Sequence, residues 1–270
     1  MIRIGASSMF LHEYQPQDIF AAMNAAGLDH IEFWMETPEF WMQGADVRVL
    51  EDLLSRYQKF FPLAMHAPIF DLNPCSFNPG VAQLSAEYTC RAIEMLERLG
   101  GGVLTVHPGK RTAKRPVGPL DRSRLAAYLE RIGNAAFSTS VTVAIENMPP
   151  AVNAQLVSAD EVRAVLDEYA WLSFTWDYAH AKAAGYPFGF PRVCGDRMVN
   201  IHASSGVRMH APLAASPEGE AFTEVLHEIR YDGLVTFELE DLNFAKVLTL
   251  AEKTDVLRRE QEWFSGLRCI

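Results

Sequence analysis

Short apolar runs rich in β-branched and aromatic residues alternate with longer amphipathic stretches along the whole chain. The runs predict strands, and the stretches, in which apolar residues recur about every 3.6 positions, predict helices. The predicted strands are Ile2–Gly5, His30–Trp34, Leu63–His66, Val103–His107, Val141–Glu146, Ser173–Asp177, Met198–His202 and Leu234–Leu239. The predicted helices are Pro16–Ala26, Val47–Phe60, Val81–Leu99, Asp121–Phe137, Ser158–Glu168, Glu218–Ile229 and Phe244–Phe264.

Local signals at the helix ends support these boundaries. Pro16 stands in the first turn of its helix, Asp121 is placed to act as an N-cap, and Ser158 with Glu161 forms a capping box. Each helix returns the chain to the start of the next strand, so the strands are expected to pair in parallel. The sequence therefore predicts an α/β protein with a single (β/α)8 TIM-barrel domain over residues 1–270.

Six of the predicted strands carry a metal-binding side chain at or near their end. These side chains are His66, His107, Glu146, Asp177, His202 and Glu238. A barrel strand buried on both faces should be apolar throughout, and buried unpaired charges are strongly disfavoured. Because the carboxyl ends of all barrel strands meet at one rim, we expect these side chains to form a single cluster there.

Two further histidines extend this cluster. His180 follows Asp177 by three residues, and His210 follows His202 in a loop short enough to fold back over the rim. Imidazole and carboxylate ligands without thiolates suit a divalent metal such as zinc, manganese or cobalt. A nucleotide cofactor is not expected, because no G-x-G-x-x-G follows an early strand.

Other polar and aromatic residues are open to more than one interpretation. Glu32, on the second strand, either faces the barrel or pairs with a nearby arginine, whereas His30 is assigned a structural or surface role. His12 and His227 are assigned the same role as His30. Aromatic rings stack on sugars and on bases alike, so Trp34 and Trp176 are expected to contact substrate.

The composition of the chain limits the classes of partner that it is expected to bind. The chain has 34 acidic and 24 basic side chains, a formal charge of −10, which argues against a nucleic-acid partner. The basic run Lys110–Arg115 leaves that alternative open. No apolar run approaches the roughly 18 residues that a membrane span needs. The start lacks a signal peptide and the four cysteines form no C-x-x-C motif, so a cytoplasmic location with reduced thiols is expected.

The strand-end motifs together resemble the xylose isomerase-like TIM barrel superfamily. The motifs are His66-Ala-Pro, His107-Pro-Gly, Glu146-Asn, Asp177-x-x-His180 and His202 with His210 downstream. The resemblance extends over nearly the whole chain, and the superfamily includes sugar isomerases and epimerases as well as endonuclease IV-type enzymes. These two branches imply different chemistry.

Resemblance to the ketose epimerases implies one divalent metal, such as manganese, cobalt or magnesium, in a four-ligand site. The ligands would be Glu146, Asp177, His202 and Glu238. Glu146 and Glu238 would also act as acid and base on opposite faces of the substrate. Arg208, six residues after His202, matches an arginine that holds the metal-bound substrate oxygens in such enzymes. His66, His107 and His180 would then contact the substrate.

Resemblance to endonuclease IV implies three zinc ions and cleavage of DNA at abasic sites. Eight of the nine ligand positions carry suitable residues: His66, His107, Glu146, Asp177, His180, His202, His210 and Glu238. The ninth is Arg208, where that family has an aspartate, and an arginine cannot bind a cation.

The acidic composition and Arg208 favour a metal-dependent isomerase or epimerase acting on a small sugar or related polyol. The additional histidines favour a zinc-dependent phosphodiesterase instead, and a barrel that binds metal or a carbohydrate-like ligand without turnover is a third alternative. The sequence leaves the substrate, the native metal and the oligomeric state open.

Overall fold

The computed structural model describes residues 2–206, 210–214 and 216–267, and the strands among them close into a barrel. The strands are β1 (Arg3–Ser7), β2 (His30–Trp34), β3 (Ala64–His66), β4 (Gly102–Val106), β5 (Val141–Glu146), β6 (Ser173–Asp177), β7 (Met198–Ala203) and β8 (Leu234–Phe237). Each strand pairs in parallel with the next along the chain, and β8 pairs with β1. The predicted (β/α)8 barrel is confirmed.

Helices of several lengths surround the barrel. They are α1 (Pro16–Ala25), α2 (Pro38–Met42), α3 (Val47–Arg56), α4 (Pro79–Arg98), α5 (Pro119–Ala136), α6 (Ala159–Glu168), α7 (Tyr178–Ala183), α8 (Gly189–Cys194), α9 (Gly219–Glu228) and α10 (Leu250–Leu267). The sequence did not predict α2, α7 and α8, because helices of one or two turns are too short to display a helical period.

Three predicted helix starts are wrong, and the first is that of α4, which begins at Pro79 rather than Val81. Asp121 is not the N-cap of α5, because Pro119 takes the first helical position and the Asp121 carboxylate accepts the N–H of Gly118 at 2.8 Å. Helix α10 begins at Leu250 rather than Phe244. Thr249 stops the helix from extending further back, since its N–H donates to the Glu252 carboxylate at 2.9 Å. The Ser158–Glu161 capping box of α6 is confirmed.

The residues of each strand alternate between the helix layer and the barrel interior. Phe33 packs edge-on against Phe40 of α2, and the Trp176 ring stacks on Phe222 of α9 with centroids 5.7 Å apart. Trp176 is fully buried in this layer, on the opposite side of β6 from Asp177. This placement corrects the assignment of Trp176 to the substrate-contacting residues.

The barrel interior below the rim is polar rather than apolar. Its buried side chains include Glu32, Thr105, Thr175, Asn200 and Thr236. They bond to one another across the barrel: Asn200 donates to Glu32 at 2.7 Å, and Thr236 donates to Asn200 at 2.8 Å. This network forms a floor under the strand ends. Among the described residues, no helix is both long and apolar enough to cross a bilayer.

Candidate metal centre

The structure brings all eight predicted metal ligands together at the carboxyl ends of the strands. They form three groups, and within each group one ligand atom per residue lies within 4.8 Å of the others. The groups are His66, His107 and Glu146; Asp177, His180 and His210; and Glu146, Asp177, His202 and Glu238. Glu146 and Asp177 each belong to two groups, so the three positions are neighbours in one site.

Glu146 is the central carboxylate of this site. Its Oε2 lies 3.1 Å from His107 Nε2 and 3.6 Å from both His66 Nε2 and His202 Nδ1, and its Oε1 lies 3.3 Å from His180 Nδ1. Burial alone would raise the pKa of Glu146, but His202 and His107 beside it bring that pKa well below its ordinary value. The carboxylate is therefore ionised and ready to bind a cation.

Five buried atoms at the centre of the site form no hydrogen bond within the described part of the chain, although several lie 3.3–3.6 Å from a neighbouring ligand atom. They are His66 Nε2, Asp177 Oδ2, His202 Nδ1, His210 Nδ1 and Glu238 Oε2. Unpartnered buried polar atoms are rare because each loses its hydration without replacement. All five are atoms through which these side chains bind metals, and a nitrogen–oxygen donor set of this kind suits zinc, manganese or cobalt. The residues therefore fit a divalent metal ion.

Hydrogen bonds to the other ring nitrogens hold two histidines with the ligand atom turned inward. Nε2 of His202 donates to Glu32, whose carboxylate oxygens lie at 3.0 and 3.1 Å, and this leaves Nδ1 for the metal. Nδ1 of His66 lies 2.8 Å from the carbonyl of Ala67, and this leaves Nε2 for the metal. A carboxylate or carbonyl behind a metal-binding histidine is a recurrent device that fixes the tautomer.

Three neighbouring carboxylates also shape the protonation of the site. Burial raises the pKa of Asp177 to about 7. The nearby charges of Glu238 and Glu146 also raise this pKa, whereas His180 lowers it. Burial would lower the pKa of His180, but the charges of Asp177 and Glu146 raise it to about 10. In the absence of a cation these carboxylates are balanced by protons, so binding of a metal must release protons.

Asn147 positions the second group. Its side chain accepts the backbone N–H of Asp177 at 2.8 Å and donates to the Asp177 carbonyl at 2.9 Å. The Asn147 carbonyl lies 2.9 Å from His180 Nδ1, and the His180 N–H donates to Asp177 at 2.6 Å across the first turn of α7. The motifs Glu146-Asn147 and Asp177-x-x-His180 thus form one connected unit.

The loop after β4, which carries His107, is tied to the loop after β3. The Asn73 carboxamide accepts the N–H of Lys110 at 3.0 Å and donates to its carbonyl at 2.8 Å. Between them, Gly109 adopts a φ of +74°, and a Cβ there would lie 2.8 Å from Asn73 Oδ1. The glycine of the His107-Pro-Gly motif is therefore required by close packing.

Replacing Gly109 by alanine is expected to displace this loop and to weaken the group of His66, His107 and Glu146. The strained φ and the short contact with Asn73 together should cost about 2–3 kcal/mol of unfolding free energy. Gly185→Ala is the matched control, since Gly185 has a φ of +86° with nothing within 4 Å of the added Cβ. Urea unfolding of both variants measures the difference, and equal losses would show that packing against Asn73 is unimportant.

Replacing Glu32 by glutamine is expected to lower the affinity for metal about 10- to 100-fold, because the charge behind His202 is lost. A chelator competition assay measures this affinity. Glu13→Gln is the control, since Glu13 pairs with Lys253 and belongs to none of the three groups of ligands. Unchanged affinity in Glu32→Gln would contradict the assigned role of Glu32.

The structure also places the remaining predicted contacts. Trp34 stacks on His66 with ring centroids 4.5 Å apart and contacts Phe70, so it forms a wall beside the first group. His210 is held by its carbonyl, which accepts the N–H of Glu240 at 3.0 Å. Arg208 lies outside the described residues.

Sequence reasoning left Glu32 open, and gave no separate role to Asn73. Glu32 faces the barrel and pairs with His202 rather than with an arginine. The alternation of residues along β2 could have predicted this orientation, because His30, Glu32 and Trp34 share the inward face. Asn73 lies in a loop, and no periodic signal marks such a residue.

Comparison with known proteins agrees with this architecture. The family model described as xylose isomerase-like TIM barrel matches residues 20–267. The uncharacterized protein MJ1188 of Methanocaldococcus jannaschii is 30% identical over 272 residues, covering 99% of this chain and 100% of that protein.

Two solved structures share the fold at low sequence identity. An L-ribulose 3-epimerase is 19% identical with a TM-score of 0.82, covering 99% of this chain and 94% of that one. Endonuclease IV from Thermus thermophilus is 18% identical with a TM-score of 0.72, covering 98% of this chain and 99% of that one. The match to the family model and the identity to MJ1188 over the full length both lead to one conclusion: the chain belongs to the xylose isomerase-like TIM barrel family.

Proposed function

We propose that this protein is a divalent-metal-dependent isomerase or epimerase that transfers a proton beside the carbonyl of a sugar or related polyol. The observation that carries the proposal is the buried group of Glu146, Asp177, His202 and Glu238, in which two ionised glutamates share one cation position. The L-ribulose 3-epimerase that shares the fold supports the same class of reaction.

Glu146, Asp177, His202 and Glu238 would hold the metal in this reaction. When bound, the metal would polarise a carbonyl and its neighbouring hydroxyl and so acidify the C–H beside them. One of the two glutamates would remove the proton from this carbon, and the other, which must first take up a proton, would return one to it.

The surroundings of the two glutamates suit this task. Burial would raise the pKa of Glu238, but His202 and His210 lower it below its ordinary value, so Glu238, like Glu146, is ionised and able to act as the base. Glu146 and Glu238 are almost fully buried, which limits the access of water to the reacting carbon. Trp34 is buried and stacks on His66, so it would hold that imidazole in place beside the substrate.

Hydrogen exchange with solvent tests the proposal. The protein, loaded with Mn²⁺, Co²⁺ or Zn²⁺, is incubated with ketohexoses and ketopentoses in D₂O, and NMR follows the sugars. We expect deuterium at the carbon next to the carbonyl and the appearance of the epimer or isomer. Glu238→Gln should abolish both signals. Exchange that persists in Glu238→Gln would contradict the assigned role of that residue.

A second candidate is a zinc-dependent phosphodiesterase. The two further groups, His66–His107–Glu146 and Asp177–His180–His210, favour it, because a one-metal epimerase does not require them. Adjacent metal ions commonly stabilise both the attacking and the leaving oxygen of a phosphate ester. Cleavage of a duplex with an abasic site by the zinc-loaded protein, without any sugar exchange, would replace the isomerase proposal by this one.

A further inference from the structure

A cavity of about 380 Å³ opens directly beside the metal centre. His107 and His180 form its inner wall, so it is continuous with the first two groups of metal ligands. The loops after β3, β4 and β5 form its sides, and Ser85, Thr89 and Tyr128 on α4 and α5 close its far end. A substrate held at the metal centre would therefore extend into this space.

The sides of the cavity are mainly apolar. Ile69, Leu72 and Pro74 contribute from the loop after β3, and Met148 and Pro149 from the loop after β5. Lys110, Asn73 and Asn153 also line the cavity, but the carboxamides of the two asparagines already donate to the carbonyls of Lys110 and Arg111.

The hydroxyl groups at the far end are already used within the protein. Ser85 donates to the Val81 carbonyl at 2.7 Å, and Thr89 donates to the Ser85 carbonyl at 3.1 Å. Thr89 and Tyr128 lie 3.1 Å apart, so the tyrosine O–H is satisfied by Thr89. A polyhydroxylated chain placed here would lose its bonds to water without equivalent replacement, which is unfavourable.

We propose that this cavity binds an apolar substituent, about the size of an aromatic ring, on a substrate whose hydroxy-carbonyl end lies at the metal centre. Apolar cavities of roughly 150 Å³ already accommodate benzene, so the space here is ample for a ring and the atoms that link it. The hydroxy-carbonyl end of this substrate rests on the proposed function, whereas the apolar end rests on the cavity.

Two α-hydroxy ketones that differ in one group test the proposal. Calorimetric titration of the metal-loaded protein compares 3-hydroxybutan-2-one, which carries a methyl group, with 1-hydroxy-1-phenylpropan-2-one, which carries a phenyl group. We expect the phenyl compound to bind at least about tenfold more tightly, since the ring leaves water for the cavity. Equal affinities would overturn the proposal.

Variants connect this preference to the cavity. Leu72→Asp places a charge in the wall and should remove the preference for the phenyl compound. Leu84→Asp is the matched control, because Leu84 is 41% exposed on α4 and lies outside the cavity, and it should bind as the wild type does. Ala151→Trp is a second variant for the case that Leu72→Asp does not fold. Ala151 is an exposed residue of the cavity lining, and a tryptophan there would fill the cavity. A phenyl preference that survives the filled cavity would overturn the proposal.

The same samples separate this inference from the proposed function. Tight binding of the phenyl compound without deuterium exchange in any ketone would refute the isomerase and leave the cavity assignment standing. Exchange in ketoses without any phenyl preference would refute the cavity assignment and leave the isomerase standing.

Discussion

Replacing Glu146 by glutamine is expected to lower turnover by about 10²–10⁴-fold or more and to weaken metal binding in two groups at once. Glu146 lies within 3.6 Å of nitrogens from four histidines and belongs to two of the three groups of ligands. The amide that replaces it carries no charge and cannot accept a proton from carbon. Turnover and metal content measured on the same preparation test both parts of this expectation.

Glu97→Gln is the control for this variant. Glu97 is also a glutamate that accepts a hydrogen bond, from the N–H of Ser140 at 2.6 Å, but it lies at the opposite end of the barrel. This variant should retain the metal content and turnover of the wild type. A Glu146→Gln protein with wild-type turnover would refute the assigned site.

Removal of the metal is expected to lower the thermal unfolding temperature by about 10 °C. A metal present at about a thousand times its Kd stabilises the folded state by roughly 4 kcal/mol, and for a chain of this size each kcal/mol corresponds to about 2–4 °C. The physical cause is the crowding of Glu146, Asp177 and Glu238, whose charge a cation neutralises and which is otherwise balanced by protons on Asp177 and on neighbouring histidines.

Calorimetry before and after dialysis against a chelator measures this shift, and re-addition of Mn²⁺ or Zn²⁺ should reverse it. The shift should be smaller in Glu146→Gln, since that variant holds less metal at the start. An unfolding temperature that does not change when bound metal is lost would contradict the assignment of the unpartnered ligand atoms to a cation.

The sequence predicted the barrel because its strands and long helices carry strong periodic signals. It also predicted that the eight ligand-type side chains cluster at one rim, since a charged residue at the end of a buried strand is costly unless a partner or a cation compensates its charge. The boundaries of β2, β5 and β6 agree with the predictions without change. Helix starts were less certain, because a cap such as Gly118 or Thr249 is recognised only once its hydrogen bonds are known.

Features that depend on contacts across the barrel were harder to predict. Glu32 and His202 are 170 residues apart, and no local sequence pattern indicates that Glu32 orients His202. Trp176 was assigned to the substrate because aromatic rings stack on sugars, but it directly precedes Asp177, and adjacent residues of a strand face opposite sides. The cavity beside His107 forms between three loops and two helices, so the sequence of no single segment predicts it.

Metal quantification is the direct test of whether the clustered histidines and carboxylates bind a divalent metal. Protein purified without chelators is dialysed, and its metal content is measured by mass spectrometry alongside Glu238→Gln, which alters only the four-ligand group. We expect at least about one equivalent of divalent metal per chain in the wild type and a clear loss in Glu238→Gln. A wild-type protein that neither retains metal nor binds added Zn²⁺ or Mn²⁺ would contradict this expectation.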